Sequence, residues 1–344
     1  MESRELRLAQ PEFDRHLAQQ MDDLQFGTLL AHRYPFRSDE SIISPSEIIF
    51  GSSATREAPM TSTSAPTSFH EAYDEVLAVD WPAGTTYSQV ATAYGTTRVN
   101  SCGPADAPPL VLLSGGGATS TVWYAQAAHL GRTHRVHAVD LIGDPGRSVA
   151  GERPIRTVAD LTSWLDGVLD GLGADRTALG GHSYGAWIAL HYALHAPHRV
   201  SKLVLVDPTQ CFAGFRPGYL LRALPMLIRP GVKRTRAFLK WETGGAALDP
   251  AWLRLRDAAT GFPSARPVTG PRPAPEALGG LDVPTLILLA ERSRAHDAAR
   301  VATEAARLLP RVTTATIPGA THHTLPLHGP TAGELNRRME EFIG

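Results

Sequence analysis

From about Ala91 onward, short apolar runs alternate with amphipathic stretches. Leu110–Leu113 is an unbroken apolar run followed by glycines, and Val136–Val139 is apolar apart from His137 and ends at Asp140. Runs of this length predict buried strands. Val158–Leu172 places apolar residues at Leu161, Trp164, Leu165, Val168, Leu169 and Leu172. That 3.6-residue period predicts an amphipathic helix. Thr177–Gly180 predicts a strand running into Gly181-His182-Ser183-Tyr184-Gly185, and Ala186–Leu194 a helix. Leu203–Val206 and Thr285–Leu289 predict strands ending at Asp207 and near Glu291. Ala298–Leu309 then reads as helix, Val312–Ile317 as strand and Gly333–Ile343 as helix. Apolar strands alternating with helices predict an α/β fold, its mostly parallel sheet covered by helices on both faces.

The rhythm fails in two places. Residues 1–68 mix charges with isolated apolar positions, and Ser52–Ser68 is rich in Ser, Thr and Pro. That composition predicts a disordered or loosely ordered extension rather than a core. Met60 is a candidate natural start, which would leave 1–59 outside the protein; a docking segment is the competing reading. The second break, residues 211–280, is rich in Pro and Gly and carries Phe215, Tyr219, Trp241 and Trp252. It predicts short helices and loops inserted between two sheet strands. The expected organisation is therefore an extension (1–68), a core in two parts (69–210 and 281–344) and a helical cap (211–280). No internal repeat is visible.

Composition narrows the function classes. A formal net charge of −1 gives no electrostatic footprint for nucleic acid or an anionic membrane surface. No apolar run reaches the roughly 18 residues of a membrane span, so no stable insertion is expected. The N-terminus, Met-Glu-Ser-Arg-Glu-Leu-Arg, has no apolar h-region. Two cysteines, Cys102 and Cys211, cannot form a disulfide framework and suit a reducing compartment. A cytoplasmic protein is the expectation. No metal or organic cofactor is implied, and no feature fixes the oligomeric state.

The candidate chemistry centres on Gly181-His182-Ser183-Tyr184-Gly185, which fits G-x-S-x-G. A strand turning sharply into a helix presents serine at the apex, and the flanking glycines remove side chains that would collide. The backbone N–H of Tyr184 then faces the helix start, where it can stabilise an oxyanion. The flanking apolar strand and Ala-rich helix give this short motif its weight.

The stretch from about Thr97 to Phe342 resembles the α/β-hydrolase superfamily, nearest in look to bacterial serine carboxylesterases with a small helical cap. Leu112-Leu113-Ser114-Gly115-Gly116-Gly117 resembles the family's His-Gly-Gly-Gly oxyanion loop, with Ser114 in place of the usual histidine. Asp140-Leu141-Ile142-Gly143-Asp144-Pro145-Gly146-Arg147-Ser148 resembles the loop after the next strand, and Gly319-Ala320-Thr321-His322 the catalytic-histidine loop. The resemblance implies Ser183 as nucleophile, His322 as general base, and oxyanion donors at Tyr184 and Gly116, with Gly115 as second candidate. A phosphate loop is disfavoured, because the glycine segment lacks both Gly-Lys-Ser/Thr and the full G-x-G-x-x-G spacing.

Fourteen histidines make any single one a weak signal. His322 stands out because it follows the last strand, as the order Ser–acid–His requires; adjacent His323 is its rival. His182 is expected to point away from Ser183. His191 and His195, four apart on a helix, read as packed or surface residues rather than metal ligands. The acid is open. In the resembled family it usually follows the strand equivalent to Thr285–Leu289, but Ser293 stands there and cannot oppose an imidazolium. Asp207 is the first choice, since some superfamily members carry the acid on the preceding strand; Glu291 and Asp297 are the alternatives.

The expected activity is hydrolysis of a carboxylic ester, thioester or lactone through an acyl-enzyme on Ser183. The expected partner is a small hydrophobic acyl substrate. Tyr219, Leu224 and Trp241 are candidate pocket residues, with Leu220, Met226 and Phe238 beside them. Arg222, Arg229, Lys233, Arg234 and Arg236 form a basic stripe that reads as a solvated helix face. Cys211 reads as a small buried hydrophobe. Two alternatives stand: a non-catalytic ligand-binding protein, favoured by Ser114 and Ser293, and a cofactor-free haloperoxidase or acyltransferase using the same residues.

Overall fold

The computed structural model describes residues 68–327 and 329–344. The expected extension therefore lies outside the described residues except for Ser68, as does the candidate start at Met60. Ser68 caps the first helix, α1 (Phe69–Asp80), in a capping box with Glu71.

A nine-stranded sheet follows. β1 (Thr86–Thr92) and β2 (Gly95–Cys102) form an antiparallel hairpin. Then come β3 (Pro109–Leu113), α2 (Tyr124–Leu130), β4 (Arg135–Val139), the short β5 (Val149–Ala150) and α3 (Val158–Gly171). β6 (Thr177–His182), α4 (Tyr184–His195) and β7 (Val200–Val206) complete the first half. Between β7 and β8 (Thr285–Ala290) lie four helices: α5 (Pro217–Ile228), α6 (Val232–Glu242), α7 (Pro250–Ala258) and α8 (Pro275–Gly279). The chain ends with α9 (Ala298–Leu308), β9 (Val312–Ile317) and α10 (Pro330–Ile343). Spatial order is β1-β2-β4-β3-β6-β7-β8-β9, parallel from β4 to β9, with β5 paired to β2.

Strand periodicity explains the two cores. Val111, Leu113, Leu203, Leu205, Ile287 and Leu289 bury toward α3, α4 and α9. Their neighbours Leu110, Leu112, Val204, Val206, Leu286 and Leu288 bury toward α1, α2 and α10. Because successive strand side chains face opposite sides, a sheet covered on both faces needs unbroken apolar strands. This is the mostly parallel sheet covered on both faces that the alternation predicts, and it is the architecture that the resemblance to α/β-hydrolases implies.

The predicted strands and helices after Leu110 appear with ends shifted by no more than a few residues. The elements that were not predicted are α1, the β1–β2 hairpin as a whole, α2 and the short β5. In β2 the reason is chemical. Thr97, Arg98, Asn100 and Ser101 are buried there although polar, so no apolar run marks the strand. Their polar groups are satisfied: the Arg98 Nε–H donates to Asn100 (2.9 Å), whose Nδ2 donates to Tyr73 (2.7 Å) and Ser120 (2.9 Å).

That network ends on Asp140, fully buried beyond β4. It accepts from the Tyr73 hydroxyl (2.9 Å) and from the backbone N–H groups of Ser120 (2.7 Å) and Arg147 (2.8 Å). One carboxylate thus ties α1, the turn after β3 and the loop after β4. Replacing Asp140 by Ala strands three buried donors. The expected loss is about 3 kcal/mol or more of unfolding free energy, read as a lower urea midpoint.

Candidate active site

Ser183 sits at the corner between β6 and α4, with φ 55° and ψ −114°. This is a region that non-glycine residues avoid. The corner is too tight for side chains on either flank. A Cβ on Gly181 would lie 2.2 Å from the Gly185 carbonyl oxygen, and one on Gly185 would lie 2.3 Å from the Leu113 oxygen. The two glycines let the helix start press against the end of β3, where the glycine loop begins.

His322 lies in the turn after β9. Its Nε2 is 2.9 Å from Ser183 Oγ, and its Nδ1 is 2.6 Å from Asp207 Oδ2. The tautomer that fits carries the proton on Nδ1, donated to the carboxylate, so that Nε2 accepts from the serine. Asp207 follows β7 with φ 42° and is fully buried. It also accepts from the Ala290 N–H (2.9 Å) and the Ser293 hydroxyl (2.7 Å), and His296 Nε2 lies 3.3 Å from its second oxygen. Burial by itself would raise this carboxyl, but His296 and His322 outweigh it and hold Asp207 well below the usual carboxylate range. For His322, burial opposes the charged form; the Asp207 hydrogen bond and the charges of Asp207 and Glu242 prevail and leave the ring above its ordinary value.

The glycine loop after β3 is braced on three sides. Ser114 Oγ donates to the Ala118 carbonyl (3.2 Å), across a turn closed by Ala118 N–H to Gly115 O (3.0 Å). The Gly117 N–H donates to Asp144 (3.0 Å), and its carbonyl accepts from Arg256 of α7. Gly117 has φ 68°, which favours glycine. Burial pushes the Asp144 carboxyl up to about 6. Gly115 and Gly116 face Ser183 across a cavity of about 90 Å³ that His322, His323, Tyr219, Trp252 and Arg256 also line.

Comparison with known proteins agrees with this geometry. The Alpha/beta hydrolase family profile matches residues 110–335. The chain belongs to the α/β-hydrolase family. It is 30% identical over 290 residues to carboxylesterase YbfK of Bacillus subtilis, covering 80% of this chain and 93% of that protein. The crystal structure of that carboxylesterase superposes with a TM-score of 0.74 at 29% identity, covering 80% of this chain and 96% of that one. The naproxen esterase of Bacillus subtilis gives 0.74 at 28% identity, covering 83% of this chain and 100% of that one.

Within this hydrolase, the alternatives to Asp207 are occupied elsewhere. Glu291 is exposed and accepts from the Gly319 N–H (2.7 Å), steadying the approach to His322. Asp297 caps α9 through the Arg300 N–H (3.1 Å) and pairs with Arg216. His182 does not point away from Ser183 as expected. Its ring lines the same cavity, and its Nε2–H donates to the His322 carbonyl (2.9 Å).

Of the candidate pocket residues, Tyr219 lines the cavity, whereas Leu224 and Trp241 do not. Trp241 packs in a ring cluster with Tyr219 (6.2 Å) and Phe238 (5.9 Å) under Arg294. Leu224 is on α5, half-buried. The wall also includes Trp252, one of the aromatics noted in the insertion, and Val122 and Pro326, which no local pattern had marked. Arg222, Arg229, Lys233, Arg234 and Arg236 are exposed, as a solvated face requires. Cys211 is buried, and burial pushes its thiol up. Among the described residues no group of three or more His, Cys, Asp or Glu is arranged to hold a metal, and no helix is long and apolar enough to cross a membrane.

Because the corner is filled by backbone, Gly185→Ala has to push β3 and α4 apart. A loss of about 1–3 kcal/mol is expected, measured as a lower denaturation midpoint, while an alanine at the open Gly218 position, where a Cβ meets nothing within 4 Å, leaves the midpoint unchanged by comparison.

Proposed function

We propose that this carboxylic ester hydrolase works through an acyl-enzyme on Ser183, with His322 as general base and Asp207 as the acid that orients it. The observation that carries the reading is the unbroken chain from Ser183 Oγ to His322 (2.9 Å) to buried Asp207 (2.6 Å). Similarity to the two Bacillus subtilis carboxylesterases supports an ester as the substrate class.

In the proposed sequence, His322 Nε2 takes the Ser183 proton as Oγ attacks the ester carbonyl carbon. Negative charge develops on the carbonyl oxygen beside the start of α4. The Tyr184 N–H, as the first of the helix, has no intrahelical acceptor and is oriented by the corner itself. Gly116 is the second donor, with Gly115 as its alternative. His322 then protonates the leaving alkoxide. Water, activated by the same ring, attacks the acyl-enzyme carbonyl and releases the acid. Asp207 keeps the Nδ1 proton in place and stabilises the imidazolium at both steps.

The departures that favoured a binding protein lose that weight. Ser293 donates to the acid instead of replacing it, and Ser114 braces the glycine loop. Helices α5 and α7, within the proposed cap 211–280, supply Tyr219, Trp252 and Arg256 to the cavity. A space of about 90 Å³ is smaller than the roughly 150 Å³ that admits a benzene-sized guest. It suits a short acyl group, with the bulkier alcohol directed outward.

Three outcomes test this reading. A fluorophosphonate probe should label Ser183 and fail on Ser183→Ala; a folded wild type that stays unlabelled rules the mechanism out. Asp207→Asn should lose on the order of 10⁴-fold in kcat, whereas Glu291→Gln and Asp297→Asn stay near wild type. Across p-nitrophenyl esters, kcat/KM should peak at acyl chains of about two to four carbons; a rising trend to long chains contradicts the assigned pocket.

A further inference from the structure

One fully buried carboxylate near the site takes no part in the mechanism above. Glu242 is the last residue of α6. Its Oε1 accepts from the His322 N–H (3.0 Å). Its Oε2 accepts from the His323 N–H (3.2 Å), His323 Nδ1 (2.9 Å) and the Thr321 hydroxyl (3.1 Å). All four donors belong to three consecutive residues of the histidine turn, about 80 positions away in the chain. The two backbone N–H groups fall on different oxygens, so both positions must accept; a neutral amide has one acceptor oxygen and would set its NH2 against a donor. A carboxylate at that place therefore has an electrostatic consequence as well as a geometric one.

We propose that Glu242 is a positioning residue: it fixes the backbone of Thr321–His323 from α6 and places a second negative charge beside His322. The inference rests on His322 being the base. His322 is then held at its N–H by Glu242, at its carbonyl by His182 and at its ring by Asp207 and Ser183. Release of α6 would break a hydrogen bond to each of the three residues of the turn at once, so proper seating of these helices and competence of the base are linked.

The charges around the ring set the direction of the effect. Asp207 faces it from the end of β7, with His296 on the far oxygen. His182 faces it from β6 (ring centroids 4.7 Å), Tyr219 from α5 (6.3 Å) and His323 from the same turn (5.3 Å). Arg256 of α7 is the cation on the cavity wall, engaged with the Gly117 carbonyl. Burial keeps His182 and His323 toward the neutral form. Glu242 therefore adds its charge to that of Asp207 and favours the imidazolium of His322. Only the neutral ring acts as base, so activity falls on the acid side of its pKa. Removing the Glu242 charge lowers that pKa and moves the acid limb to lower pH.

The test is the pH profile of kcat/KM for p-nitrophenyl acetate in the full chain. Glu242→Gln should move the acid limb down by about half to one pH unit and lower the plateau by roughly tenfold. Glu242→Gln keeps one acceptor oxygen for the turn; Glu242→Ala, which keeps none, should lose further kcat with little change in KM. An unmoved limb in a folded Glu242→Gln protein, with kcat within about twofold of wild type, overturns the proposal. If Glu242→Gln does not fold, the double variant Glu242→Gln/His323→Gln removes both members of the buried pair and is read the same way. Failure of both to fold also overturns it, since Glu242 is then an element of the fold only. Fluorophosphonate labelling of wild-type Ser183 keeps the two claims apart: its absence counts against the catalytic reading, not against Glu242.

Discussion

The carboxylate of Asp207 is the point on which the site is assembled. A buried ionised acid is unfavourable unless it is hydrogen-bonded and paired. Here it is met by the Ala290 N–H, the Ser293 hydroxyl, His322 and His296, contributed by β8, the loop after it and the turn after β9. Satisfying that charge draws three separate parts of the chain together at the ends of the parallel strands. The imidazole thereby arrives beside the β6–α4 corner with its tautomer already chosen. In open α/β sheets this edge is where ligands bind.

Backbone crowding supplies the second constraint. Ser183 holds positive φ at a corner so tight that a Cβ on Gly181 or Gly185 would strike backbone. The same contact presses Leu113 and Ser114 against the helix start, which sets the glycine loop opposite the serine. Strain at Ser183 and placement of the loop are one packing event. Such strain persists only when the surrounding core over-determines it, and the buried strands on either side of β6 provide that core.

The inserted helices do more than roof the cavity. Arg256 of α7 holds one side of the glycine loop, and Glu242 of α6 holds the histidine turn. Both contacts are charge-assisted and largely shielded from water, which makes them specific in direction. The cavity that they enclose is small and borders Trp252 as well as Tyr219. Aromatic residues that looked equivalent in the sequence divide accordingly: Tyr219 and Trp252 line the cavity, whereas Trp241 packs at a tilt among its ring neighbours.

The sequence by itself determined the sheet-and-helix alternation, the strand–helix corner with its serine, the glycine loop and the late histidine. These follow from periodicity and turn chemistry, which act over a few residues and leave their mark in adjacent letters. It left three carboxylates open for the acid, because Asp207, Glu291 and Asp297 are each plausible strand-end or cap residues when read locally. Only the tertiary structure joined Asp207 to His322 across 115 positions, gave Ser293 its hydroxyl-donor role and brought Glu242 under the histidine turn. It also turned His182 into the cavity and drew a strand from the polar residues of β2. Those outcomes depend on which buried charges and donors find partners once distant segments pack. That pairing is a property of the folded assembly, and no short window of the chain contains it.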